Sequence, residues 1–121
     1  MVIQESGEMY LESIEVLSMS GEEVHAIDVA EYLGYSKPSV SRGLGILRDN
    51  GLVEIAKNGA LTLTAEGKKY AKKILDRHIA LTEFFIKLGV PKKTAEEDAC
   101  RIEHVVSDKT MNAIKKHMKT L

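Results

Sequence analysis

Three side chains near the C-terminal end of the chain are of types that bind transition metals. Cys100, Glu103 and His104 stand at spacings i, i+3 and i+4, so in a helix they project from one face. Glu96, one turn earlier, extends the same stripe. A thiolate, a carboxylate and an imidazole together form a mixed soft and borderline ligand set for a divalent transition metal. The alternative is a half-buried cysteine beside a solvated Glu-His pair, because lone cysteines usually lie in cores.

A fourth candidate, His78, falls on the apolar stripe of a long predicted helix. Considered alone, His78 is interpreted as a hydrogen-bonded core histidine. If it lies near the Cys/Glu/His face, it is a candidate ligand of a second metal site. The sequence contains no nucleophile motif, no Gly-rich phosphate loop and no zinc-ribbon CxxC pair, so it does not indicate an enzyme.

A second set of polar residues indicates DNA binding. A recognition helix presents its N-terminal residues to the major groove, and a hairpin tip can contact the flanking backbone. The helix that begins after Ser36 offers serines, a proline and two cations for such contacts. Two other interpretations stay open, that the serines only cap the helix beside a solvated basic face, or that the motif is a protein-interaction module. The candidate DNA-contacting residues are Ser36, Lys37, Pro38, Ser39, Ser41, Arg42, Lys57 and Asn58.

Apolar spacing predicts the elements that position these residues. Three helices are expected, over about 5–19, 26–33 and from Ser36 to about 50, the second burying Ile27, Ala30 and Leu33. Residues 52–63 change to an alternating pattern, and Asn58-Gly59 predicts a two-residue hairpin turn. Three more helices are expected. The first covers 65–88 after the cap Thr64 and has an apolar stripe that reaches Leu88. The second covers 95–106 from a Thr94–Glu97 capping box, and the last begins after the cap Ser107.

This order of elements predicts a mostly α fold. An N-terminal winged helix-turn-helix with a β-hairpin wing occupies 1–70, and an all-helical domain occupies 71–121. Of the 121 residues 44% are hydrophobic, and no apolar run approaches the ~18 residues of a membrane span. One cysteine and no signal-peptide pattern favour a cytoplasmic protein.

The net charge of −1 conceals an asymmetry between the two halves. Residues 1–63 carry 4 basic against 10 acidic side chains, and residues 64–121 carry 13 basic against 8 acidic. Because the predicted DNA-binding half is acidic, we expect only modest non-specific affinity for DNA.

Several segments, in order and over nearly the whole chain, resemble the diphtheria toxin repressor family. This family includes the iron-dependent repressors and the manganese transport regulators. The combination of Glu-Met-Tyr-Leu with Ala-Cys-x-x-Glu-His is the most specific part of the resemblance. The matching segments are Glu-Met-Tyr-Leu-Glu (8–12), Asp-Val-Ala-Glu-Tyr-Leu (28–33), Ser-Lys-Pro-Ser-Val-Ser (36–41), Gly-Leu-Val (51–53), Leu-Thr-Ala-Glu-Gly (63–67), Arg-His (77–78) and Ala-Cys-Arg-Ile-Glu-His (99–104).

The resemblance implies a homodimeric repressor that binds double-stranded operator DNA when Fe²⁺ or Mn²⁺ is bound, and that controls metal homeostasis genes. It also implies that the all-helical domain, residues 71–121, is the metal-binding and dimerisation domain. It implies a primary site of Met9, Cys100, Glu103 and His104, as in the iron-responsive branch. In the manganese branch the first two positions are carboxylates, so the sulfur ligands here favour Fe²⁺, with Mn²⁺ as the other candidate.

A second site is less well matched by the sequence. His78 matches one ancillary ligand, Glu12 matches a manganese-branch ligand, and Glu83 and Glu96 stand near the remaining positions. The resemblance is to a short form of the family, expected to lack the C-terminal SH3-like domain of the larger iron repressors, as in the manganese branch. Three other functions remain open: a metal-independent winged-helix regulator that senses oxidation at Cys100, a metal-binding enzyme or buffer, and a protein-interaction module. Chelation separates the first from a metal-dependent regulator.

Overall fold

A computed structural model describes residues 5–120 of the chain. It divides into an N-terminal unit, up to Lys72, and a C-terminal unit, from Lys73 onward, with the fourth helix running through the division. No helix among the described residues is both long and apolar enough to cross a bilayer. The elements are α1 (Glu5–Ser18), α2 (Ala26–Leu33), α3 (Lys37–Asp49), β1 (Val53–Ile55), β2 (Leu61–Leu63), α4 (Ala65–Lys87), α5 (Lys92–Ile102) and α6 (Asp108–Met118).

The core of the N-terminal unit is built from one apolar face of each of its first three helices and the inner face of the hairpin. Burying a Leu or Val side chain of this kind contributes roughly 1.5–3 kcal/mol. Helices α1 and α3 each turn one apolar face into this core. Helix α2 differs, because it turns Ala26, Val29, Ala30 and Leu33 inward and leaves Ile27 44% exposed. The most completely buried residues are Leu11, Ile14, Val29, Val40, Leu44, Leu47 and Val53.

Two glycines allow elements of this unit to approach closely. A Cβ added at Gly43 of α3 would lie 2.1 Å from Cε2 of Tyr10 in α1, and one added at Gly67 would lie 2.0 Å from the carbonyl oxygen of Leu52. The absence of a side chain at Gly43 therefore permits the contact between α1 and α3. It costs α3 about 1 kcal/mol of helix propensity relative to Ala.

The wing is a two-stranded antiparallel hairpin in which Val53 pairs with Leu63 and Ile55 with Leu61. Its turn is not the two-residue turn expected at Asn58-Gly59. Such a turn needs positive φ at both residues, and no non-glycine residue in the described part of the chain has one. Instead Gly59 N–H bonds to the Ala56 carbonyl at 2.9 Å, and Gly59 takes the left-handed conformation, which gives a three-residue loop.

Helices α4 and α6 begin at the predicted caps. Thr64 Oγ1 accepts from Gly67 N–H at 3.0 Å, and Ser107 Oγ accepts from Thr110 N–H at 3.2 Å. The core of the C-terminal unit includes Leu81, Ala99 and Met111, whereas Leu88, which was expected to continue the α4 stripe, is exposed. Leu88 lies beyond the last helical residue of α4, where the chain turns away at Gly89.

Helix α5 differs from its prediction at both ends. It begins at Lys92, with Pro91 as N-cap, and Thr94 is therefore inside the first turn and forms no capping box. The fixed φ of proline is already suited to a helix start, so the helix begins earlier. It ends at Ile102 rather than 106. Glu103 is the C-cap and keeps helical dihedral angles, while His104 lies in the following turn.

Candidate metal centre and DNA interface

A buried carboxylate lies at the centre of the candidate metal site. The Glu103 side chain is 0% exposed, and its Oε2 lies 2.7 Å from Nδ1 of His78. Its other oxygen, Oε1, lies 3.3 Å from Nε2 of His104, whose side chain is also fully buried. A buried carboxylate is costly unless it is paired, and the His78 imidazole lies within hydrogen-bond distance of this one. One carboxylate and two imidazoles fit the donor chemistry of a borderline divalent transition metal.

Arg77 holds the turn that carries Glu103. Its Nη1 donates to the Glu103 carbonyl oxygen at 3.1 Å, and its Nη2 donates to the Asp108 carboxylate at the start of α6. Lys73 Nζ donates to the other oxygen of Asp108 at 3.1 Å. The Arg77 hydrogen bond, followed by that of Lys73, holds the pKa of Asp108 below its ordinary value of 3.8. The guanidinium therefore links α4 to both ends of the α5–α6 connection.

The remaining predicted ligands of the C-terminal unit have a different environment. Cys100 lies in the last turn of α5 and is exposed, as are Glu83 in α4 and Glu96 in α5. Within residues 5–120 these three join no cluster of three or more potential ligand atoms. The structure thus joins His78, predicted for a second site, to Glu103 and His104, predicted for the primary one.

The predicted ligands of the N-terminal unit both lie on α1. Met9 and Glu12 are half-buried and three residues apart. The hydroxyl of Tyr35 donates to Met9 Sδ at 3.1 Å, and the Tyr35 ring packs edge-on against that of Tyr10. Burial, and secondarily the neighbouring Tyr35, raise the pKa of the Tyr10 hydroxyl, while Arg42 lowers it in part.

The N-terminus of α3 presents the predicted DNA-contacting residues on an ordered surface. Ser36 caps the helix, accepting from Ser39 N–H at 3.4 Å and donating to Ser39 Oγ at 2.8 Å. Arg42 Nη2 in turn donates to Ser39 Oγ at 3.3 Å. Ser39 is half-buried, and the other five of these residues are exposed: Ser36, Lys37, Pro38, Ser41 and Arg42.

The tip of the wing is tied to the segment before α2. Asn58 Nδ2 donates to the Glu23 carboxylate at 3.4 Å, and Glu23 also lies 3.3 Å from Nε2 of His25. Lys57, beside Asn58 at the tip, is exposed. Asn58 therefore has a role in fixing the loop, and Lys57 is the tip residue that offers a charge to a DNA phosphate.

Sequence reasoning did not identify two residues that contact the candidate ligands. In the sequence Arg77 is only one half of an Arg-His pair, and Tyr35 is only the residue before Ser36. Their partners, Glu103 and Met9, are each 26 residues away along the chain. The one available signal was an aromatic residue immediately before the N-cap Ser36, which does not by itself identify a partner.

Comparison with known proteins identifies both halves of the chain. Residues 3–61 match the family described as iron dependent repressor, N-terminal DNA binding domain. Residues 64–121 match iron dependent repressor, metal binding and dimerisation domain. These two descriptions favour a metal-dependent regulator over the metal-independent alternative.

Individual relatives agree with this assignment. The transcriptional regulator MntR of Escherichia coli is 37% identical over 106 residues, covering 88% of this chain and 68% of that protein. The diphtheria toxin repressor of Corynebacterium diphtheriae is 32% identical over 114 residues, which cover 93% of this chain and 50% of that protein.

A solved structure shows the same fold. A manganese-dependent transcriptional repressor in complex with manganese aligns with a TM-score of 0.85 and 30% identity, over 93% of this chain and 52% of that one. The chain thus spans about half the length of this repressor and of the diphtheria toxin repressor. With its winged helix-turn-helix, buried Glu-His group and dimerisation helices, the chain belongs to the iron-dependent repressor family of metal-dependent, DNA-binding transcriptional regulators, which bind operator DNA as homodimers.

Proposed function

We propose that this protein is a cytoplasmic repressor that binds its operator when Fe²⁺ is bound, and so controls genes of metal homeostasis. The observation that carries the proposal is the buried Glu103 carboxylate between two imidazoles, in the half of the chain that matches a metal-binding domain. A carboxylate with two histidines is a ligand group for a divalent cation. A bound cation would supply positive charge next to the buried Glu103 carboxylate.

The proposed ligand set rests on the sequence resemblance together with this local chemistry. Met9, Cys100, Glu103 and His104 form the primary set, and His78 acts either as a further ligand or by orienting Glu103. Because the proposed ligands extend from residue 9 to residue 104, metal binding links the two halves of the sequence. For a second site we retain His78 with Glu12, Glu83 or Glu96 as candidates.

The choice of Fe²⁺ over Mn²⁺ depends on two sulfur atoms. A thioether at Met9 and a thiolate at Cys100 are softer donors than the carboxylates of manganese regulators, and Mn²⁺ prefers oxygen ligands. The relatives named for manganese make Mn²⁺ the competing candidate. Replacing the Cys100 sulfur with a carboxylate, Cys100→Asp, should therefore move the preference of the protein towards Mn²⁺.

In the DNA complex we assign the base-reading positions to the N-terminal turn of α3. Arg42 and Ser39 present donors and acceptors suited to base edges, and Pro38 an apolar surface suited to a thymine methyl group. Ser36, Lys37 and Ser41 then contact phosphates, and the wing holds the adjacent backbone through Lys57 and Asn58. We propose that residues 1–70 form this DNA-binding domain and that residues 71–121 bind metal and form the dimer.

The experiment is an anaerobic DNA-binding titration on the protein's own upstream region. Fluorescence anisotropy of a labelled duplex would be measured with chelator, with Fe²⁺ and with Mn²⁺, each at controlled free concentration. We expect binding with metal and none with chelator, with the lower midpoint for Fe²⁺. Binding that is the same in chelator would contradict the metal-dependent function, and a lower midpoint for Mn²⁺ would reverse the metal assignment.

Two variants distinguish the ligand set from general damage to the fold. Cys100→Ala should abolish the metal response. Glu97→Gln, which replaces an exposed carboxylate of the same helix with an amide, should leave the metal response unchanged. Cys100→Asp should respond to Mn²⁺ at a lower midpoint than to Fe²⁺. A Cys100→Ala protein with the wild-type Fe²⁺ midpoint would remove Cys100 from the site.

A further inference from the structure

The candidate metal ligand of α1 is joined to the start of the recognition helix by one side chain. Tyr35 donates its hydroxyl hydrogen to Met9 Sδ at 3.1 Å. The residue that follows it, Ser36, is the N-cap of α3, and its side chain accepts from Ser39 N–H. A path of one hydrogen bond and one peptide bond thus connects the Met9 sulfur to the first turn of the DNA-reading helix.

The packing of the tyrosine rings fixes where this hydroxyl points. The Tyr35 ring lies edge-on to Tyr10, with centroids 6.3 Å apart and planes at 81°. Tyr10 is buried and lies directly over Gly43 of α3, where no Cβ would fit. Tyr35 is 40% exposed, and water is a better acceptor than a thioether sulfur. The edge-on contact with Tyr10 and the hydrogen bond to Met9 Sδ together hold the Tyr35 side chain against α1.

A thioether held in this way is prepared for a metal ion. Methionine has three rotatable side-chain bonds and occupies many conformations when unconstrained. The hydrogen bond uses one lone pair of the sulfur and leaves the other for a second partner. Fixing the side chain before the ligand arrives removes part of the entropy cost of binding.

We propose that Tyr35 is a positioning residue for the metal response, which holds the Met9 thioether for the cation and links it to α3. The proposal rests on the proposed function, in particular on Met9 as a ligand. It predicts that loss of the hydroxyl weakens metal binding only when the sulfur is present. By linkage, the same loss reduces the factor by which metal strengthens operator binding.

The test compares Tyr35→Phe with wild type and with Tyr32→Phe, a control at a 54% exposed tyrosine of α2. Co²⁺ is the probe, and its ligand-field absorption in the visible range reports binding without DNA. Thermal unfolding of the metal-free proteins reports the fold. We expect Tyr35→Phe to raise the Co²⁺ midpoint about three- to ten-fold, the factor that corresponds to immobilising one flexible side chain before the ion binds. Tyr32→Phe should match wild type.

A double-mutant cycle with Met9→Leu makes the test specific to the sulfur. In the Met9→Leu background, Tyr35→Phe should have no further effect on the Co²⁺ midpoint. The proposal is overturned by a Tyr35→Phe midpoint that is unchanged or lowered, by an effect that persists in the Met9→Leu background, or by a Met9→Leu protein with the wild-type midpoint. Failure of the proposed function would look different, because wild type would bind Co²⁺ without gaining affinity for the operator.

Discussion

Nδ1 of His78 lies 2.7 Å from Oε2 of Glu103, in a pair whose carboxylate is fully buried. The two residues come from α4 and from the end of α5, and neither helix alone brings them together. The pair gives the buried carboxyl group a partner, and the other oxygen of that group lies 3.3 Å from the second imidazole, His104.

Replacing His78 should weaken metal binding whether it is a ligand or only orients Glu103. His78→Gln removes the imidazole partner of the buried carboxylate, and loss of such a partner costs about 10–100-fold in metal affinity. A Co²⁺ titration measures the change. His117→Gln is the control, because His117 is an exposed histidine of α6 that packs against Phe84. Equal Co²⁺ midpoints for the two variants would show that His78 is not part of the metal site.

Arg77→Met should loosen the turn that carries Glu103. The substitution keeps much of the apolar length of the side chain but leaves the Glu103 carbonyl without its 3.1 Å donor. Loss of a hydrogen bond at a side chain that is only 12% exposed costs about 1–3 kcal/mol in the free energy of unfolding. Urea unfolding of the metal-free protein measures this cost. An unchanged unfolding midpoint would show that the carbonyl finds another donor.

The Asp108 ion pairs should make part of the stability depend on pH in the acid range. The pKa of Asp108 is lowered in the folded protein, so its contribution is present above the ordinary value of 3.8 and is lost as pH falls below it. Wild type should therefore unfold at a higher temperature than Asp108→Asn at pH 5, and the gap should close as pH falls through the region below 3.8. If the difference in unfolding temperature stays constant down to pH 2, the stabilisation comes from something other than the Asp108 charge.

The two glycines of α3 should respond oppositely to the same substitution. Gly43→Ala places a methyl group 2.1 Å from the Tyr10 ring and should destabilise the protein by about 1–3 kcal/mol. At Gly45 the nearest atom is an Arg48 nitrogen at 3.8 Å, so Gly45→Ala should stabilise α3 by up to about 1 kcal/mol. Chemical denaturation of both variants measures the difference. Similar losses at both positions would contradict the close contact of α1 with α3.

Lys57 should contribute to operator affinity through charge alone. Lys57→Ala should weaken binding to all sequences by a similar factor and reduce the slope of log K against log salt by about 1. Anisotropy titrations at several salt concentrations, at saturating metal, give the slope. Lys115→Ala, at an exposed lysine of α6, is the control. A salt slope equal to that of wild type would place the wing tip away from the DNA backbone.

Much of the N-terminal unit follows from local sequence. Ser36 as a cap with Pro38 in the first turn fixes the start of α3, and the alternation of Val53, Ile55, Leu61 and Leu63 fixes the strands. These signals act over a few residues, where backbone hydrogen bonding and side-chain spacing leave little choice. The metal-binding character of the second half likewise follows from residue types and order, and the family match of residues 64–121 agrees with it.

Only the tertiary structure decided which of those residues meet. His78 reaches Glu103 across 25 residues, and Tyr35 reaches Met9 across 26. Such contacts depend on how helices pack, and a 3.6-residue period does not encode the packing of one helix against another. Pro91 likewise began α5 earlier than the Thr94 capping pattern predicted, and helix packing decided that α2 buries Val29 instead of Ile27. The sequence thus determined the elements and the kinds of ligand, and packing determined their partners.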